Sequence, residues 1–204
     1  MRRTLSMMAV AAVLSGLLGY RQADAAVDPH ILALQASAFP AGAFITHEHI
    51  DRTAAAVDAE GFVGNPSTQG QYYESLHFAG SNFQSARLPA FNAAGREVWL
   101  LATIFPSATV AGQALTADAH FAQCDRSPLL AAMPAHTMTC AYSNASASES
   151  GMYVVASVGR VEFIVLGFVK LASDAARERA TRDAAFLALH EVARVRQRML
   201  QHLV

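Results

Sequence analysis

Two histidines and an aspartate alternate along one short segment of the chain. In the sequence THEHID, residues 46–51, they are His47, His49 and Asp51. On a β-strand, alternate side chains project from the same side, so all three would lie on one face. Imidazole and carboxylate are good zinc ligands, and three such ligands plus a water molecule make a catalytic zinc site. If the segment is a strand, its spacing predicts a metal site.

This segment resembles the metal-binding signature of the metallo-β-lactamase superfamily, in which a threonine and the pattern His-x-His-x-Asp-His follow a β-strand. An apolar pair precedes the segment here, and Arg52 stands in the position of the final histidine. The resemblance implies a metal-dependent hydrolase in which His47, His49 and Asp51 bind zinc.

A structural interpretation of the same residues is open as well, and we favour it. His47 and His49 would then be polar side chains on an exposed strand face or on a turn between a strand and a helix. Asp51 would cap a helix or pair with Arg52. Because short motifs often occur without function, we predict no cofactor, with zinc as the alternative.

The first 25 residues have the pattern of a secretory signal peptide. Arg2 and Arg3 are followed by an apolar stretch at residues 7–19, and small residues occupy positions 23 and 25. As a helix, this stretch is shorter than the roughly 30 Å hydrocarbon core of a membrane. We therefore predict cleavage before Ala26, a single mature domain at residues 26–204 without a transmembrane segment, and a periplasmic or secreted location.

Export bears on the two cysteines of the mature chain, Cys124 and Cys140. An oxidising compartment and an even cysteine count predict a disulfide between them, and a pair of thiolate metal ligands is the alternative. Cys140 also alternates with His136 and Met138, a combination that can bind copper in exported proteins. We favour core packing for the methionine, since methionine commonly fills cores.

Composition and motif searches exclude several classes of protein. With 53% hydrophobic residues the chain is not disordered, and its net charge of −1 gives no basic surface for nucleic acid. The sequence contains no G-x-S-x-G, no H-E-x-x-H, no P-loop and no dinucleotide-binding fingerprint. A Ser/His/Asp site is left open, because its members need not be close in sequence.

Hydrophobic periodicity and turn residues predict an α+β fold. Predicted strands cover residues 43–50, 72–78, 97–105, 136–142, 152–158 and 161–168. Predicted helices cover residues 30–37, 53–60, 108–123, a short segment ending at 133, and 173–203. Residues 64–70 and 144–151 are predicted loops, and 79–96 carries no predicted element. We expect an antiparallel sheet of four to six strands with interspersed helices and the long C-terminal helix packed on one face.

Two details sharpen this expectation. Gly159 and Arg160 suit the two-residue type II′ turn of a β-hairpin. In the C-terminal helix, one apolar stripe recurs at three- and four-residue steps, and we expect the arginines mostly on its solvated side. The stripe consists of Ala185, Ala188, Val192, Val195, Met199 and Leu203.

Residues 97–203 resemble the secreted sensor-type α+β domains of bacterial cell-wall proteins and of the extracellular parts of some receptor kinases. The shared pattern is a strand, the sequence FPSA at residues 105–108, and an alanine-spaced helix ending in a cysteine. A second cysteine-bearing strand, a VGRV hairpin and a terminal helix rich in alanine and arginine follow. The resemblance implies a domain that binds rather than catalyses.

The leading hypothesis is therefore an exported domain that binds a ligand or a partner in the cell envelope or outside the cell, without catalysis. The first alternative is a metal-dependent hydrolase that uses His47, His49 and Asp51. The second alternative is a structural protein of the envelope.

Overall fold

The computed structural model describes residues 28–60, 66–121, 138–143 and 148–201 of the 204-residue chain. The strands are β1 (Phe44–Asp51), β2 (Gly80–Phe91), β3 (Ala94–Ile104), β4 (Met138–Ser143), β5 (Ser150–Val158) and β6 (Val161–Val169). The α-helices are α1 (Ala54–Glu60), α2 (Pro66–Ser75), α3 (Ala108–Phe121) and α4 (Asp174–Gln201). Two short 3-10 helices, Pro29–Leu32 and Ala36–Ala38, precede β1.

The strands form one antiparallel sheet in the order β1-β2-β3-β6-β5-β4. Each half of the chain contributes three consecutive strands, and the halves join at the centre, where Leu101 of β3 lies opposite Ile164 of β6. A helix follows each half, α3 after β3 and α4 after β6. The predicted α+β class, the antiparallel sheet and the C-terminal helix packed against it are confirmed.

Helices cover both faces of this sheet. We call the face under α4 and the 3-10 helices the α4 face, and the face under α1, α2 and α3 the α3 face. Successive strand residues alternate between two apolar cores, as a pleated strand requires. In β3, for example, Leu100 packs on the α4 face and Leu101 on the α3 face.

The helix α4 follows the predicted periodicity. Ser173 precedes it, and the Ser173 hydroxyl accepts a hydrogen bond from Ala176 N at 3.1 Å, as an N-cap does. Of the predicted stripe, Ala188 and Val195 are buried and Ala185 is half-buried. The helix lies close to β6 because Gly167 has no side chain: an added Cβ would lie 2.3 Å from Ala180 O.

Three predictions within residues 64–96 are wrong. The predicted loop at 64–70 and the predicted strand at 72–78 overlap helix α2, which begins at Pro66, a residue that favours the first turn of a helix. Residues 79–96, predicted to carry no element, contain β2 and the start of β3. The turn between these strands has positive φ at Asn92 and Ala93 and contains no glycine that would mark it.

Other predictions concern residues outside the described part. Residues 1–25, Cys124 and His136 lie outside it, and Met138 and Cys140 are described only as backbone positions of β4. The signal peptide, the disulfide and the copper cluster therefore stay predictions. Among the described residues, no helix combines the length and the apolar character needed to span a bilayer.

Candidate functional site

The segment with alternating histidines is the edge strand β1. It pairs with β2 and places His47 opposite Ser85, His49 opposite Phe83 and Asp51 opposite Ser81. Because Phe83 belongs to the core of the α3 face, the three candidate ligands lie on that face. The strand prediction for residues 43–50 is thus confirmed, together with the common face that it implies.

Each histidine on β1 has its own neighbour. His49 Nε2 lies 3.4 Å from Asp51 Oδ1, and its ring packs against Phe83 with the centroids 5.0 Å apart. His47 Nδ1 lies 3.3 Å from the Ser85 hydroxyl. Both histidines are exposed and Asp51 is buried. Within the described ranges, no group of three or more His, Cys, Asp or Glu side chains is placed to share a metal ion.

The residues after β1 have structural roles. Arg52 extends to Asp28, with Nη2 3.2 Å from Oδ1. Thr53 caps α1, since its hydroxyl accepts a hydrogen bond from Ala56 N at 3.3 Å. The assignment of His47, His49 and Asp51 as zinc ligands stays a prediction.

A second group of polar side chains lies deep on the α3 face, and sequence reasoning missed it. Tyr73 of α2 donates a hydrogen bond to Asp118 Oδ2 of α3 at 2.5 Å, and Gln69 Nε2 donates to the Tyr73 hydroxyl at 3.1 Å. Glu162 of β6 lies beside them and is only 1% exposed. We call Gln69, Tyr73, Asp118 and Glu162 the buried acid cluster.

A row of polar residues crosses the sheet between β1 and this cluster. The strand register places Asp51, Ser81, Thr103 and Glu162 opposite one another in turn, followed by Ser157 of β5. The Ser81 and Thr103 hydroxyls are 2.8 Å apart. The candidate metal ligand Asp51 and the buried acid cluster thus lie along the same line on the α3 face.

Burial controls the ionisation of the cluster. It raises the pKa of Asp118 to about 6, although the neighbouring Tyr73, Glu162 and Gln69 side chains each lower it. It raises the pKa of Glu162 well above its usual range, and the charge of Asp118 raises it further. The pKa of Tyr73 is raised as well, first by burial and then by Asp118. The cluster can therefore hold a proton at pH values at which exposed carboxyls are ionised.

One signal for the cluster was present in the sequence. Glu162 interrupts the apolar run VEFIVLGFV, and Asp118 follows Ala111, Ala114 and Leu115 on the buried side of α3. A charged residue at a buried position calls for a partner. The partners come from three separate elements, so no spacing in the sequence connects them.

The extracellular domain of PknH from Mycobacterium tuberculosis has a similar fold. The TM-score is 0.55 at 13% sequence identity, and the similarity covers 84% of this chain and 97% of that chain. At this identity it shows the fold alone, which agrees in part with the resemblance of residues 97–203 to extracellular α+β domains. No protein-family model and no curated protein matches the chain.

Proposed function

We propose that the chain is an exported domain that binds a ligand or a partner outside the cytoplasm and catalyses no reaction. The observation that carries the proposal is the fold similarity to the PknH extracellular domain, which spans 97% of that domain. The signal-peptide pattern of residues 1–25 supports it independently.

The accessibility of the polar groups favours binding over catalysis. A general acid or base must reach the proton that it transfers, directly or through one water molecule. Tyr73, Asp118 and Glu162 are all buried, so a substrate cannot reach them in this conformation. Exposed titratable side chains are found instead on β1, where His47, Glu48 and His49 face solvent.

Export is tested by producing the full chain in a bacterium, fractionating the cells and measuring the intact mass. We expect an exported protein that begins at Ala26. The matched control is Ala25→Asp, which removes a small residue that the peptidase reads and should block cleavage. A wild-type protein that keeps Met1 and stays in the cytoplasm would contradict the proposal.

Binding is tested with a photo-crosslinking amino acid placed at single exposed positions of the exported protein. Phe44, 72% exposed on β1, is one position, and Gln113 on the outside of α3 is the comparison. A binding domain should form a defined adduct from some positions and none from others. The absence of adducts from every tested position would favour the structural envelope protein.

Metal binding at His47, His49 and Asp51 is the second candidate function, and their common face on β1 favours it. Zinc is measured in untagged wild-type protein, in a His47→Ala/His49→Ala double variant and in Glu48→Gln, whose side chain lies on the other face of β1. The leading proposal predicts no stoichiometric zinc. Zinc lost in the double variant and kept in Glu48→Gln would establish the metal-dependent alternative.

A further inference from the structure

The buried acid cluster brings together polar side chains of α2, α3 and β6 in the interior of the α3 face. We propose that Glu162 and Asp118 share a proton and form a pH-sensitive switch that holds α2 and α3 against the sheet and loosens them when the proton is lost. This inference concerns the interior of the α3 face and does not depend on the proposed binding function.

Tyr73 attaches α2 to the neighbouring elements of the α3 face. Its ring packs edge-to-face on Phe105, with centroids 5.2 Å apart, while its hydroxyl donates to Asp118 of α3. Gln69, one helical turn earlier, donates to the same hydroxyl. A change in the charge of Asp118 or Glu162 therefore acts directly on the groups that join α2 to α3 and to β6.

The surroundings of Glu162 favour a shared proton. Neither carboxylate oxygen makes a hydrogen bond of ordinary geometry within the described part of the chain, although Asp118 and Tyr73 are close enough to affect its pKa. A proton held between the two carboxyls would satisfy an oxygen of each. Two ionised carboxylates this deeply buried would repel each other with little screening.

Within the described part of the chain, the titratable groups that interact with Glu162 come from α2 and α3. Tyr73 and the more exposed Tyr72 come from α2, and Asp118 comes from α3. The neighbouring sheet positions are Thr103 and Ser157, which do not titrate in this range. The ion pairs identified in the described ranges involve carboxylates other than Asp118 and Glu162.

The direction of the pH effect follows from the folded and unfolded states. Burial raises the pKa of both carboxyls, so the folded protein keeps protons that the unfolded chain releases above about pH 4. Folding therefore becomes less favourable as the pH rises, by about tenfold in the equilibrium constant per pH unit for each proton retained. For Asp118 the effect ends near its folded pKa of about 6, and for Glu162 it continues to higher pH.

Loosening would extend from α2 to α1. The two helices pack closely at Gly70, where an added Cβ would lie 2.0 Å from Ala54 O. Gly70 N also donates to Asp58 Oδ1 at 2.6 Å. Because α1 follows β1 after two residues, release of the cluster would reach the end of the strand that carries Asp51.

Amide hydrogen exchange from pH 5 to pH 8, corrected for the intrinsic rate, tests the proposal on the purified protein. We expect protection in α2 and α3 to fall about tenfold per pH unit over part of this range, while α4 changes much less. Glu162→Gln mimics the protonated side chain and should abolish this dependence above about pH 6, where Asp118 no longer contributes. The control Glu74→Gln, at an exposed position of α2, should leave it unchanged.

Equal pH dependence in α2, α3 and α4, or an unchanged dependence in Glu162→Gln, would overturn the switch. If Glu162→Gln does not fold, carbon NMR titration of the carboxyl groups in the wild-type protein decides. One buried carboxyl that is still protonated at pH 7 supports the proposal, and complete ionisation by pH 5 overturns it. Protection restored at pH 8 by added calcium would also overturn it, in favour of a cation in place of the proton.

Discussion

The two faces of the sheet handle buried charge in opposite ways. On the α4 face, Asp183 of α4 is buried against Arg96 of β3, with Oδ2 2.8 Å from Nε, and Arg179 adds a second contact at 3.5 Å. On the α3 face, Asp118 and Glu162 have each other and Tyr73 as neighbours. Arginine therefore neutralises Asp183 on the α4 face, whereas within the described part of the chain the interactions that act on Asp118 and Glu162 include no cation, so that a proton takes the arginine's place.

A second carboxylate neutralised by arginine lies on the α4 face, where α4 meets the N-terminal segment. Glu191 of α4 is fully buried, and Arg194 pairs with it at 2.5 Å. The Arg194 guanidinium also donates to Ile31 O at 2.8 Å and to Leu32 O at 2.5 Å. One arginine thus attaches the N-terminal segment to α4. Burial raises the pKa of Asp183 as well, but Arg96 and Arg179 oppose this rise and stay charged, so we expect the α4 face to be the less pH-sensitive half.

The largest expected effect comes from closing the gap between α4 and β6. In Gly167→Ala the new Cβ would lie 2.3 Å from Ala180 O and 3.0 Å from Ala184 N, both backbone atoms that cannot rotate away. We expect a loss of about 3 kcal/mol or more in the free energy of unfolding, measured by urea denaturation.

The matched control lies in the helix on the other face. At Gly112 of α3 an added Cβ meets no atom within 4 Å, so Gly112→Ala should stabilise the protein by about 0.5–1 kcal/mol. Similar effects of the two substitutions would show that α4 does not approach β6 as closely as described.

The next effect tests the arginine-neutralised carboxylate. Arg96→Met leaves Asp183 buried with only the half-exposed Arg179, and we expect a loss of about 3 kcal/mol. The double variant Arg96→Met/Asp183→Leu removes both charges and should be more stable than Arg96→Met alone. Urea denaturation at neutral pH measures both. A double variant less stable than the single would mean that Asp183 stabilises the fold without Arg96, through its contact with Arg179.

A smaller, pH-dependent effect is expected on the α3 face. Tyr73→Phe removes the hydroxyl that donates to Asp118 and lowers its pKa. The loss should be about 1–3 kcal/mol at pH 8, where the carboxylate needs a donor, and smaller at pH 5, where Asp118 is protonated. The control is Tyr72→Phe, because the Tyr72 hydroxyl makes only a 3.5 Å contact to Gln113 O. Equal losses at both pH values would separate Tyr73 from the ionisation of Asp118.

The elements predicted correctly are those whose buried side chains are mostly apolar. Strands β5 and β6 are apolar runs buried on both faces, and α4 shows helical spacing. Gly159, with φ +55°, forms the predicted hairpin turn, and Arg160 keeps a negative φ as type II′ requires. In these segments local preference and tertiary packing agree.

Strand β2 escaped prediction because four of its buried side chains are polar. Ser81, Asn82, Gln84 and Ser85 are all buried, and their cross-strand and side-chain partners satisfy part of their polarity. Gln84, for example, accepts from Leu34 N at 2.7 Å and donates to Leu34 O at 3.0 Å. Because these partners are distant in sequence, the hydropathy of the segment alone predicts that it is exposed. The buried acid cluster was missed for the same reason.

Turns without glycine were a second source of error, and one of them supports the smallest prediction. Asn92 and Ala93 join β2 to β3 with φ of 49° and 63°, the pattern of a type I′ turn. Alanine is strained in this left-handed region, whereas glycine is not. We expect Ala93→Gly to stabilise the protein by about 0.5–1 kcal/mol, since relief of strain exceeds the entropy that glycine adds to the unfolded chain.

The neighbouring alanine provides the matched control for this last substitution. Ala94 begins β3, where it has ordinary strand conformation and pairs with Phe91. Ala94→Gly should therefore destabilise the protein slightly, because glycine weakens strands and no strain is relieved. Thermal unfolding of both variants under identical conditions measures the difference. If Ala93→Gly lowers the midpoint as Ala94→Gly does, the β2–β3 turn is not left-handed, and the register of the strand that carries Ser81 on the polar row would need revision.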